Sequence, residues 1–112
     1  MIVAAIIIFC LAALGGIVLL TYVLRSKPTP KGLSMIHGGA AFVGVVLLVI
    51  FAITSDAEYR HVPSILLFVI AAIGGGVLAW RDISGKSVPK WLAVVHGLVA
   101  ATGLGILLYH VV

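Results

Sequence analysis

The stretch 27–48, KPTPKGLSMIHGGAAFVGVVLL, is written again at 86–107 as KSVPKWLAVVHGLVAATGLGIL. Working outward, residues 3–53 lie on 62–112 without a gap, and eighteen of the paired positions are identical. Among them are Ile6/Ile65, Phe9/Phe68, Ala12/Ala71, Gly15/Gly74, Lys27/Lys86, Pro30/Pro89, Lys31/Lys90, His37/His96, Gly38/Gly97, Ala41/Ala100 and Gly44/Gly103. Self-similarity of this kind decides architecture before local propensity does. It predicts one domain, 1–112, made of two tandem repeats, 3–53 and 62–112.

What each repeat contains follows from composition. The chain is 63% hydrophobic and 9% charged, with a mean hydropathy of +1.36. A soluble domain of this length cannot hide so much apolar surface, so the class is an integral membrane protein. Four apolar runs stand out, at Ile2–Leu24, Leu33–Thr54, Val62–Trp80 and Trp91–Val112. Each approaches the ~20 residues a helix needs to cross ~30 Å of hydrocarbon. The runs are continuously apolar rather than alternating, which excludes a transmembrane β-barrel. The expected fold is all-α: a four-transmembrane-helix, up-down bundle built from two parallel two-helix repeats. The first run lacks a basic leader and a small-residue cleavage site, so it reads as a retained helix. Cys10 is the only cysteine, so no intrachain disulfide can form.

The net charge of +4 is explained by where the charges fall. Arg25, Lys27, Lys31, Arg81, Lys86 and Lys90 occupy the two loops expected on one face, with Asp82 as their only acid. Asp56, Glu58 and Arg60 occupy the other loop. The positive-inside rule then predicts a multi-pass protein of the inner (cytoplasmic) membrane, its basic loops cytoplasmic and both termini outside. Trp80, Trp91 and Tyr22 mark one interface, Tyr59 and Tyr109 the other. Basicity is thus a topology signal; the lipid bilayer is a partner and nucleic acid is not.

Ionisable groups inside a span are functional candidates, and the repeat carries one at the same point in each half. His37 and His96 lie six residues beyond Lys31 and Lys90, about 9 Å along the helix at 1.5 Å per residue. Seven residues further, close to the same helical face, stand Gly44 and Gly103. His110 follows Gly103 by another seven, putting it about 21 Å from His96. Imidazole is the commonest metal ligand, and histidines on facing helices of a membrane bundle can hold haem iron between them. A flat porphyrin needs clearance, which Gly44 and Gly103 would supply, and its propionates need cations, for which Lys31 and Lys90 are placed. The expected metal ligands are therefore His37 and His96, with one haem b between the second and fourth helices.

The pattern His96-x6-Gly103-x6-His110 resembles one ligand helix of the di-haem membrane cytochromes b found in quinol-oxidising complexes. The resemblance covers the fourth helix and only part of the second, because the position matching His110 is Phe51. It implies a small b-type cytochrome-like protein that moves electrons within the membrane as a subunit of a larger redox complex, with quinone a candidate partner. A second haem would need His61 to stand in for the missing ligand beside His110. A packing histidine is the competing reading: such a group can donate to a carbonyl across a helix interface for ~1 kcal/mol. That reading leads to a cofactor-free accessory subunit of a respiratory or photosynthetic assembly. A stand-alone enzyme is disfavoured, since no Ser/His/Asp grouping is present and every acid is in a loop. A proton-linked carrier ranks last, since no span carries an internal carboxylate.

Overall fold

The computed structural model describes residues 1–112. Four helices account for nearly all of them: α1 (Ile2–Leu24), α2 (Lys31–Thr54), α3 (Val62–Ile83) and α4 (Lys90–Val111). All four are long and apolar enough to cross a membrane, at about 33–36 Å each for a 1.5 Å rise. They correspond to the four expected runs, with helical structure extending to Lys31, Lys90 and Ile83 at the basic end.

Those ends are set by local chemistry. Pro30 and Pro89 take nearly the same extended conformation, with φ −63° and −64°, and each precedes the first helical residue. A proline has no N–H to lose there, and its ring cannot be accommodated further in. α1 and α3 also stop alike. Ser26 and Gly85 adopt left-handed φ of 56° and 73°. The amides of Lys27 and Lys86 then donate back to the carbonyls of Tyr22 and Arg81, at 2.9 Å in both cases. This is the Schellman closure, which satisfies carbonyls the helix end would orphan.

α1 packs on α2 and α4, and α3 packs on the same two, so α1/α3 and α2/α4 are the two diagonals of a four-helix bundle. It measures 45 × 22 × 20 Å. Buried residues are few, as expected where outward faces meet lipid, and most fall on matched sequence positions: Ala5 and Ser64, Phe9 and Phe68, Ala12 and Ala71, Gly44 and Gly103, Leu48 and Leu107. At the centre the Phe9 and Phe68 rings stack across the bundle, centroids 4.0 Å apart and 9° from parallel.

Gly97, Ala101 and Gly105, a small-residue spacing suited to helix association, are exposed on α4 rather than packed in the bundle. Adjacent Arg81 and Asp82 do not pair with each other. Asp82 bonds Lys31 at 2.7 Å and accepts from the Thr29 hydroxyl at 2.7 Å, whereas Arg81 Nε donates to the Ser87 carbonyl at 2.8 Å.

Candidate functional site

His37 on α2 and His96 on α4 meet across one diagonal. Their ring centroids are 6.1 Å apart and the planes are nearly perpendicular, at 86°. Both are half-buried. His37 Nδ1 lies 2.7 Å from the Ala12 carbonyl of α1, and His96 Nδ1 lies 2.7 Å from the Ala71 carbonyl of α3. A carbonyl only accepts, so each Nδ1 carries the proton and donates it. In the neutral ring this assigns the lone pair to Nε2. Both imidazoles are thereby fixed in tautomer and orientation, as metal-binding histidines are by a hydrogen bond at the second nitrogen.

The close approach depends on glycines of the neighbouring helices α1 and α3. A Cβ built on Gly16 would stand 2.9 Å from His37 Cε1, and one on Gly75 would stand 2.9 Å from His96 Cε1. The neighbours Gly15 and Gly74 are not so confined; a Cβ there would meet the same histidines at 3.7 and 3.9 Å. Because Gly16 lies one turn beyond Ala12, and Gly75 one turn beyond Ala71, each glycine also bares the flank of the turn whose carbonyl the imidazole reaches. The signal was present in sequence as Ala12-x3-Gly16 repeated at Ala71-x3-Gly75.

Gly44 and Gly103 sit elsewhere than expected. Their faces are covered by phenylalanine: a Cβ on Gly44 would be 2.8 Å from Phe9 Cε1, and one on Gly103 would be 3.3 Å from Phe68 Cε1. The clearance they provide is taken by the Phe9–Phe68 stack. Of the two lysines, Lys31 is engaged by Asp82, while Lys90 is exposed. Lys31 and Asp82 also border a recess of about 450 Å³ between α2 and α3, with Ser34, Met35 and Gly38.

His61 and His110 come together at the other end, with centroids 6.4 Å apart and planes at 89°. Tyr59 joins them, stacked on His110 at 3.9 Å and edge-on to His61 at 4.8 Å. His61 is buried, and its Nδ1 has no hydrogen-bond partner. It also holds a left-handed φ of 57° as the N-cap of α3. Burial, and secondarily the neighbouring His110, hold its pKa below the usual histidine value, so the ring favours its neutral form. Beneath this cluster the bundle is filled: Ala5, Ser64, Leu48 and Leu107 have no exposed surface.

No protein-family model matches the chain, and no curated protein or solved structure is detectably similar to it.

Proposed function

We propose that the chain is a small integral-membrane b-type cytochrome-like protein that holds one haem between His37 and His96 and passes electrons within the membrane. The observation that carries this reading is the separation of the two oriented imidazoles. A five-membered ring with bonds near 1.33 Å has a radius of about 1.15 Å. With metal–nitrogen bonds of about 2.0–2.1 Å, two imidazoles opposite one another on a metal place their centroids roughly 6.3–6.5 Å apart. The observed 6.1 Å is close to that distance. Donation of both Nδ1 protons to Ala12 and Ala71 supports a neutral pair with its lone pairs on Nε2. Gly16 and Gly75 on the other diagonal let the two imidazoles lie against α1 and α3.

Bound there, haem iron would supply a one-electron redox couple. The protein's own residues would hold it: His37 and His96 as iron ligands, the two alanine carbonyls as orienting acceptors, and Lys90 as a cation for a propionate. Lys31, already paired with Asp82, would have to share its charge. We assign no second haem to His61 and His110, since Leu48 and Leu107 fill the interior below them.

The matched burial of both halves supports reading them as parallel repeats of an up-down bundle. The clustering of Lys27, Lys31, Lys86 and Lys90 supports basic loops in the cytoplasm and termini outside, in an inner membrane. Other membrane subunits are the expected redox partners, with quinone a candidate. One observation favours the cofactor-free accessory subunit instead: the Nδ1–carbonyl bonds join the helices without needing any metal.

The deciding experiment is a reduced-minus-oxidised visible spectrum of the protein purified with haem supplied, with haem quantified per chain. The expected result is a b-type α-band at one haem per chain, lost in His96→Ala shown to be folded by size-exclusion chromatography. A colourless, folded wild-type protein would overturn the assignment and leave the accessory reading.

A further inference from the structure

The two repeats turn the same corner with different side chains. After α1 the Lys27 amide closes on the Tyr22 carbonyl, and after α3 the Lys86 amide closes on the Arg81 carbonyl, at 2.9 Å in both. Beside the first corner Val18, Thr21, Tyr22, Arg25 and Lys27 line an open recess of about 290 Å³. Their counterparts in the second repeat are Val77, Trp80, Arg81, Ser84 and Lys86. There Lys86 Nζ lies over the Trp80 ring, 4.3 Å from its centre, and Arg81 Nε donates to the Ser87 carbonyl. Both cations of the second corner are thus engaged within the protein. At the first corner Thr21 stands in place of the indole, and neither Arg25 nor Lys27 forms an ion pair or a side-chain hydrogen bond. Asp82, the one acid at this end, is already held by Lys31 and Thr29.

Two unengaged cations around a recess suit an anion. Arg25 offers a planar fork of donors that matches phosphate, and Lys27 a mobile point charge. The Tyr22 phenol lines the same recess and can add a neutral donor. Thr21 supplies space rather than a donor, since its hydroxyl already donates to the Val18 carbonyl at 2.6 Å. No carboxylate lines the recess, so nothing there would receive the ammonium of a zwitterionic headgroup. The recess stands at the charged end of a helix long and apolar enough to cross a membrane. From it Val18, Leu14 and Leu11 run along α1 at helical spacing, all three exposed. Cations at one end and an exposed apolar track beneath them match the two parts of a phospholipid rather than a free phosphate. We infer that this corner binds the phosphate of an anionic phospholipid between Arg25 and Lys27, its acyl chains lying along Val18, Leu14 and Leu11. The site rests on the helices crossing a membrane and is independent of the haem reading.

The test is native mass spectrometry of the protein in mild detergent, titrated with phosphatidylglycerol or phosphatidylcholine, with inorganic phosphate as competitor. One phosphatidylglycerol per chain is expected to stay bound in preference to phosphatidylcholine, and inorganic phosphate at equal concentration should not displace it. Arg25→Gln and Lys27→Gln should each weaken that binding roughly fivefold, the worth of one basic residue near an anionic lipid surface. Lys86→Gln removes the same charge from the matched corner and should leave it unchanged. Thr21→Trp keeps every charge but fills the recess as Trp80 does, and should remove the preference. All four positions are exposed, and size-exclusion chromatography checks that each variant is folded. Equal losses in Lys86→Gln and Lys27→Gln, or full binding by Thr21→Trp, would overturn the site by showing only a general attraction to a basic face. Equal binding of the two lipids, or displacement by inorganic phosphate, would overturn the assignment to an anionic lipid.

Discussion

Gly15 and Gly16 are adjacent, both half-buried on α1, and the same substitution should move stability in opposite directions at the two. At Gly15 the new methyl would be 3.7 Å from His37 Cβ and from Leu33 Cδ1, an ordinary contact. Gly15→Ala should therefore stabilise by about 0.5–1 kcal/mol, the helix preference of alanine over glycine. At Gly16 the methyl would lie 2.9 Å from His37 Cε1 and 3.4 Å from Nδ1. The ring must turn away, and His96 already occupies the other side. Turning breaks the 2.7 Å bond to Ala12, a loss of about 0.5–1.5 kcal/mol, and whatever crowding remains falls within the ~1–3 kcal/mol of an overpacked core. Less the helix gain, Gly16→Ala should destabilise by about 1–2 kcal/mol, so the neighbours should differ by roughly 2 kcal/mol. Unfolding in mixed detergent micelles with increasing sodium dodecyl sulfate would measure both. Repeating them on a His37→Ala background isolates the cause, because the Gly16 penalty should vanish once the ring is gone. Equal effects at the two glycines, or a Gly16 penalty that survives without His37, would refute the reasoning.

Phe9→Ala removes half of the central stack and should cost about 3–5 kcal/mol, read by the same titration, with Phe9→Leu recovering most of it. Ser26→Gly should stabilise by about 1 kcal/mol, because its φ of 56° is in the left-handed region where a Cβ is penalised. Gly85→Ala should lose a similar amount at the matched turn. Asp82→Asn should change stability by less than about 1 kcal/mol, since Lys31 is half exposed in this pair; a cost of several kcal/mol would show that the pair is instead a closed internal lock.

The four spans were legible because each is a long apolar run bounded by proline, glycine or charge, and because the second half restates the first. The meeting of His37 with His96 also follows from sequence, as equal depth and the diagonal placement of alternate helices leave the two rings only one common space. What spacing missed was the identity of the glycines that make room. Counting seven residues from each histidine along its own helix led to Gly44 and Gly103, but a side chain packs against the helix beside it. The relevant glycines were therefore on α1 and α3, where only a contact map places them. The Asp82 partner was missed for the same reason: Arg81 is adjacent in sequence, but successive residues on a helix point in different directions, and Lys31 reaches in from α2.

Where the two halves differ is informative in its turn. At the centre, matched positions hold the same or similar residues, and Phe9/Phe68, Gly44/Gly103 and Leu48/Leu107 do equivalent work. Several polar differences fall toward the ends. Asp82 stands where the first half has Val23, and Ser64 where it has Ala5; His110 stands where it has Phe51. The first of these ties α3 to α2 through Lys31 at the basic end; Lys90, which matches Lys31, has only Val23 at the position matching Asp82 and stays exposed. The other two add a buried hydroxyl and a second imidazole at the opposite mouth. A bundle that needed only to pack would gain nothing from a buried Ser64 with no partner or from a left-handed histidine at an N-cap. The matched centre pairs two histidines between equivalent helices, whereas the unmatched polar groups gather at the far mouth, where His61 Nδ1 and Ser64 Oγ are buried without a partner.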